Sequence, residues 1–342
     1  VRSTGPEPKP KDANEALLAG ADLGALVKAA SPVPHEQIVT FRDLREEVFR
    51  EVAQPLEQCG AQCKSLPSLN RILKGHRRGE LSIFTGPTGS GKTTLLSQLS
   101  LDYCAQGVST LWGSFEIKNT RLIKKMLQQH SASFAHLLES QDGTPTTATA
   151  TDPERLSLSE GFERAADEFE KLPMFFTRFF GSTDVDQVLD AMEYATYVYD
   201  VEHIVLDNLQ FMMSGQGRGF DKFELQERAL EKFRRFATNK NVHLTLVIHP
   251  RKEPENAKLS MSSVFGTAKA TQEADNVLIL QKVGAEKSLE IRKNRFDGTL
   301  GTIPLVFDGR SQQFLDVSGA EIEAPSTGAP QRQPQHQPQH QP

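Results

Sequence analysis

The stretch ELSIFTGPTGSGKTTLL occupies residues 80–96 and decides how the rest of the chain is read. It opens as a short apolar run closed by a glycine, the pattern of a buried strand. Its centre, Gly86-Pro87-Thr88-Gly89-Ser90-Gly91-Lys92-Thr93, satisfies G-x-x-x-x-G-K-[ST] in full. Small residues at 86, 89 and 91 let backbone N–H groups curl around phosphate oxygens. A helix starting at Lys92 turns its positive dipole end toward them. Lys92 is placed to reach the β- and γ-phosphates and the Thr93 hydroxyl to coordinate Mg²⁺, with Thr94 completing the nucleotide-binding stretch. A strand before and a helix after are the context this motif requires, and both are present.

Outward from this loop, strand and helix signals alternate. Residues 108–115, 173–179, 203–208 and 242–250 read as strands. Residues 92–105, a segment capped by Asn119, 184–197 and 222–238 read as helices with apolar residues at helical spacing. Three close-set strands at 276–281, 288–294 and 303–307 suit an antiparallel sheet edge. The expected fold is α/β: a mostly parallel sheet with antiparallel edge strands and helices on both faces, with ligands at the carboxyl ends of the strands.

That geometry selects the next candidates. Asp207 closes the apolar run Ile204-Val205-Leu206 and is expected beside the loop, holding Mg²⁺ through water. Glu116 follows the second strand and is the candidate general base that deprotonates water; the alternative is a glutamate favoured by a helix N-terminus. His249 ends the strand at Val247-Ile248, where it would hydrogen-bond the γ-phosphate and report its loss; a capped strand-end histidine is the competing reading.

The chain has 342 residues, net charge −5 and 37% hydrophobic residues, enough for a large core. No apolar run approaches the roughly 20 residues needed to span a bilayer. The acidic balance argues against nucleic acid coating the whole surface, though not against a local basic strip. Cys59, Cys63 and Cys104 read as reduced thiols, since three cysteines make no disulfide framework and lack a zinc spacing. Residues 1–39 read as a linker, the exit of an upstream domain that the chain, opening on Val1, is expected to lack together with any targeting segment. In residues 40–55, Phe41, Leu44, Val48 and Val52 form the apolar stripe of a helix whose start, Thr40 with Asp43, fits a capping box. Residues 60–318 hold the alternating strands and helices and are the expected α/β domain. The polar insertion 140–152 reads as a solvated loop and 319–342 as a low-complexity tail too polar to fold.

Six ordered segments, GELSIFTGPTGSGKTTLL, TLWGSFEI, HIVLDNLQFMM, LVIHPRK, VFGTAKATQEADNVLILQ and KNRFDG, resemble the motifs of the hexameric replicative helicases, the phage-type primase–helicases and DnaB-like enzymes, and in particular their mitochondrial branch. The resemblance covers roughly residues 40–308. It implies a RecA-like P-loop NTPase that uses ATP or another NTP with Mg²⁺ and forms a hexameric or heptameric ring on single-stranded and forked DNA. It further implies 5′–3′ unwinding in the mitochondrial matrix or nucleoid, with a replication polymerase and a single-strand-binding protein as partners, and an absent upstream primase-like domain. It assigns Arg295 as an arginine finger supplied by a neighbouring subunit and Lys293 as its companion. Channel residues would be Arg251, Lys252, Lys258, Gly266 and Lys269, and Asn208 with Gln272 would relay between the nucleotide and DNA sites. The helix at 40–55 would dock on the adjacent subunit. A filament-forming RecA-type recombinase and a nucleotide-gated DNA-binding module without motor activity are the rival readings.

Overall fold

The computed structural model describes residues 11–29, 39–53, 60–138, 163–215, 221–251, 253–254, 257–264, 269–317 and 321–323. The chain divides into two compact units, Val1–Gln54 and Pro55–Pro342. In the first, α1 (Ala13–Leu18) starts on Asp12, whose carboxylate accepts the N–H groups of Asn14 and Glu15. Then come α2 (Leu23–Ala29) and α3 (Phe41–Ala53). At the start of α3 the Asp43 carboxylate accepts from the Thr40 N–H at 2.7 Å and the Thr40 hydroxyl at 2.8 Å. These bonds stabilise its charged form and lower its pKa. Along α3, Phe41, Phe49 and Val52 stay exposed.

The second unit runs α4 (Pro67–Leu73), β1 (Leu81–Thr85), α5 (Lys92–Cys104), β2 (Thr110–Ser114), α6 (Asn119–Leu138), α7 (residues 163–170), β3 (Met174–Phe176), α8 (Val185–Val198) and β4 (His203–Asp207). It continues with α9 (Leu209–Met212), α10 (Asp221–Lys240), β5 (His243–Val247), α11 (Lys269–Glu273), β6 (Asn276–Val283), β7 (Glu286–Asn294), β8 (Leu300–Asp308), β9 (Gln313–Asp316) and β10 (Glu321–Glu323). The strands build one sheet in the order β10-β8-β7-β6-β1-β5-β4-β2-β3, with β9 on β8. The six strands from β6 to β3 are parallel, and β7 to β10 add antiparallel pairs. This is the expected α/β architecture.

Period-two alternation explains the two cores. Ile83, Ile204, Leu206, Leu244 and Leu246 point to one face, where α8 and α10 bring Val188, Met192 and Phe233. Phe84, Trp112, Val205 and Val247 point to the other, against Leu69, Ile72, Leu95, Leu99 and Met126 of α4, α5 and α6. With both faces covered, the central strands read as continuous apolar runs.

Two expectations need correction. Asn119 is the first helical residue of α6, and its side chain donates to the Thr177 carbonyl at 2.6 Å instead of capping. Residues 321–323 pair with β8 through Glu321↔Thr302 and Ile322↔Gly301, inside the stretch expected to stay unfolded from 319; an open sheet edge there recruits even a short polar segment. The insertion 140–152, Cys59 and residues 324–342 lie outside the described residues.

Beneath the amino ends of β4 and β5, His76 and His203 pack against Tyr103, and His243 packs against the two histidines. His76 Nδ1 bonds the Tyr103 hydroxyl, His203 Nε2 meets Thr245 Oγ1 at 3.0 Å, and His243 Nδ1–H donates to the Arg77 carbonyl at 2.6 Å. Burial holds His76 and His203 well below the usual histidine value and pushes His243 down to about 4. An unfolded chain therefore binds protons at these sites at a higher pH than the native one. Their contribution is complete above about pH 6.5 and is lost as pH falls toward 4, about 3 kcal/mol for His243 alone. Urea denaturation at pH 7.5, 6.0 and 5.0 is expected to show the midpoint falling with pH, and His243→Asn to flatten that slope.

Candidate functional site

The carboxyl ends of β1, β2, β4 and β5 lie together along one edge of the sheet, because these strands are mutually parallel. Each carries one expected residue or motif. After β1 the loop closes on α5 with Gly91 at φ +104°, a left-handed conformation that only glycine adopts without strain. A Cβ there would also meet Phe314 at 2.8 Å. Phe314 is fixed on β9 by Gln98, which accepts its N–H at 2.7 Å and donates to its carbonyl at 2.8 Å. At Gly86 a Cβ would lie 2.5 Å from the Leu280 carbonyl of β6. The loop is thus pressed against two strands that admit no side chain at either position. No side chain caps the first turn of α5, so its N–H groups are available to an anion.

Lys92 Nζ donates to the carbonyls of Gly86 at 2.8 Å and Pro87 at 3.0 Å. Burial lowers its pKa, opposed by the carboxylates of Asp207 and Glu116. Thr93 Oγ1 donates to Asp207 Oδ2 at 2.7 Å. Asp207 is almost fully buried, and desolvation raises its pKa against the Thr93 bond and the positive charges of Lys92 and Lys125. A hydroxyl and a carboxylate in contact form a hard-oxygen donor set that suits Mg²⁺, and the glycine cradle with the helix N-terminus suits the phosphates. Residues and group fit.

Glu116 lies just beyond β2. Asn208, fully buried at the end of β4, donates from Nδ2 to Glu116 Oε2 at 2.6 Å and to His249 Nε2 at 3.1 Å, and its Oδ1 accepts the Phe211 N–H at 3.0 Å. Asn208 thereby ties the tips of three strands together. With both amide hydrogens donated, His249 is assigned as the neutral tautomer with Nε2 accepting. Burial and Lys92 lower its pKa, in keeping with that state, although Glu116 at 3.7 Å pulls the other way. The His249 N–H donates to Gln210 Oε1 at 3.0 Å.

Lys293 and Arg295 lie elsewhere. β7 is antiparallel to β6, so its end meets the amino ends of β6 and β1: Asn294 pairs Asn276, which pairs Ser82. The five residues of β1 then separate Arg295 from the loop of its own chain, about 16 Å and beyond the reach of an arginine side chain. A one-residue bulge at Arg292, between the pairs Val277↔Lys293 and Leu278↔Ile291, re-aims the end of β7. Lys293 Nζ donates to the carbonyls of Thr271 and Gln272, and Arg295 Nη2 to Gln272 at 2.8 Å. Gln272 therefore sits with Lys293 and Arg295 at the amino ends of β6 and β1, opposite the strand ends that carry Asn208.

The channel candidates divide similarly. Lys258 Nζ pairs with the buried Glu290 of β7 at 2.8 Å, and Lys269 with Glu231 of α10 at 3.6 Å. Each of these two expected channel residues also has an anionic partner in its own chain. Arg251 is exposed, and its N–H donates to the Ser263 carbonyl. Lys252 and Gly266 lie outside the described residues. Thr88, His249 and Arg251 share the lining of a cavity of about 340 Å³ that joins the phosphate loop to the segment after β5.

Sequence reasoning passed over Lys125, whose Nζ donates to Thr94 Oγ1 at 2.8 Å from α6. Its signal was spacing: Lys125 and Gln129 fall on the same helical face as the buried Leu122 and Met126. Gln129 Nε2 donates to the Thr94 carbonyl at 3.0 Å. Gln210 and Phe314 had no comparable signal.

The family model described as AAA domain matches residues 50–255. Among solved structures, the ATPase domain of another protein aligns with a TM-score of 0.67 at 15% identity, covering 82% of this chain and 100% of that one. A DnaB-like replicative helicase, solved for its interactions with primase, aligns with a TM-score of 0.65 at 14% identity over 89% of this chain and 71% of that one. The chain belongs to the AAA domain family and has the RecA-like ATPase fold seen in DnaB-type replicative helicases.

Proposed function

We propose that this chain is the motor of a ring-forming replicative DNA helicase, hydrolysing ATP between subunits to translocate on single-stranded DNA and unwind duplex 5′ to 3′. The observation that carries this reading is that the phosphate-loop residues and the basic pair Lys293 and Arg295 stand at opposite ends of the strands. The phosphate loop, Glu116, Asp207 and His249 converge at one edge, whereas Lys293 and Arg295 stand at the other. They meet across a nucleotide only when one copy's far edge faces the next copy's near edge, a head-to-tail contact that generates rings when it closes.

Each residue then has a task. Backbone N–H groups of 86–94 and Lys92 bind the phosphates. Thr93 and Asp207 would hold Mg²⁺, which neutralises charge on the phosphates. Glu116 takes the proton of the attacking water, and Arg295 of the neighbouring copy stabilises charge on the γ-phosphoryl group. Asn208 links Glu116 to His249, so a change at the γ-phosphate passes to the segment carrying Arg251 and Lys252. Repetition of such basic residues around a ring lines a channel for the DNA backbone despite the acidic net charge. Helix α3, with its exposed apolar residues, docks on the adjacent subunit.

The motif set is similar to that of Twinkle, the mitochondrial replicative helicase. On that basis we place the chain in mitochondrial DNA replication, in the matrix or nucleoid, alongside a replication polymerase and single-strand-binding protein. Purified protein with ATP, Mg²⁺ and a forked duplex is expected to show DNA-stimulated hydrolysis, strand separation and closed rings in electron micrographs. Helical filaments, or a monomer hydrolysing ATP at full rate without DNA, would overturn the reading.

A further inference from the structure

We propose, resting on the assignment of Arg295 to a neighbouring copy's nucleotide, that Asp275 is a positioning residue that holds the Arg295 guanidinium toward that neighbour. Asp275 lies between α11 and β6, and its side chain is only 6% exposed. One carboxylate oxygen, Oδ2, is occupied from inside the chain: it accepts the Leu81 N–H at 2.8 Å and pairs with Arg234 Nη1 of α10 at 2.7 Å. The other, Oδ1, accepts from Arg295 Nη1 at 3.2 Å. The Asp275 carbonyl also accepts the Arg295 N–H at 2.9 Å. The guanidinium is therefore gripped along one side by Asp275 Oδ1 and the Gln272 carbonyl. Two of its five donors are committed, and its side chain remains 51% exposed.

Two features separate this from plain core neutralisation. Arg234, 23% exposed and at the shorter distance, already supplies a counter-charge to the buried carboxylate. And Arg234, Lys293 and Arg295 crowd one place with mutual repulsion, so that without Asp275 the most exposed of the three, Arg295, is the one free to swing away. Asp275 also bonds both backbone groups of Leu81, the first residue of β1. The arginine offered to the neighbour is thus anchored to the strand that ends in this chain's own phosphate loop.

The test uses the full chain with saturating single-stranded DNA and a double-mutant cycle on ATP turnover. Asp275→Asn is expected to lower kcat about 100-fold, as misplacement by about 1 Å does, with KM for ATP within about twofold. In an Arg295→Ala background the same substitution is expected to add nothing. Arg234→Gln, which removes the other cation from the same carboxylate, is expected to lower thermal stability while keeping kcat within about threefold of the parent. If Asp275→Asn costs assembly, Asp275→Glu keeps the charge but displaces the contact, and should lower kcat about tenfold at unchanged KM. Equal losses in the parent and Arg295→Ala backgrounds, or full kcat in Asp275→Glu, would sink the positioning role alone. Full turnover in Arg295→Ala itself would remove the trans-acting arginine and Asp275's role with it.

Discussion

Arg295→Ala is expected to lower ATP turnover by at least about a thousandfold, the range over which arginine fingers act, while nucleotide affinity of the isolated protomer stays within about twofold. The reason is distance. Arg295 stands at the amino end of β1 and the phosphate loop at its carboxyl end, so the substitution removes nothing from the site of its own chain. Mixing Arg295→Ala with Lys92→Ala protein should therefore restore part of the activity, since some interfaces pair an intact loop with an intact arginine. Steady-state turnover of the mixtures, with fluorescent-nucleotide titration of each protomer, measures both effects. No recovery at any mixing ratio would place the arginine in cis or outside the chemistry.

Glu116→Gln is expected to reduce kcat by about 10² to 10⁴, the usual worth of a positioned general base, with ATP still bound and rings still formed. The amide keeps the shape of the carboxylate but cannot accept the water's proton. Asn208 Nδ2, now 2.6 Å from Glu116 Oε2, can bond the amide oxygen, so the strand tips stay joined. Single-turnover hydrolysis separates this from lost binding. Near-parental turnover would show that Glu116 only orients Asn208 and that another group receives the proton.

Much of this was legible before any coordinates. An eight-residue loop motif between strand and helix signals, and an apolar run ending in Asp207, are local patterns whose physics acts over a few residues. They led to Lys92, Thr93, Asp207, Glu116 and His249, all on one edge of the sheet. Long-range partners leave no such mark. The pairings of Lys258 with Glu290 and of Lys269 with Glu231 cannot be read from the sequence because the partners are distant along the chain. That Gln272 and Asn208 stand at opposite ends of the strands likewise depends on how β7 pairs with β6.

From its own order of residues the chain dictated the elements, the parallel core and the residues proposed to meet a triphosphate, since periodicity and turn chemistry are written locally. Only the folded sheet decided that Asn208 joins Glu116 to His249, that Asp275 grips Arg295, and that this arginine stands at the far end of β1 from the phosphate loop of its own chain. Those facts come from strand order and register, which are settled by burying two apolar faces at once and not by any single segment.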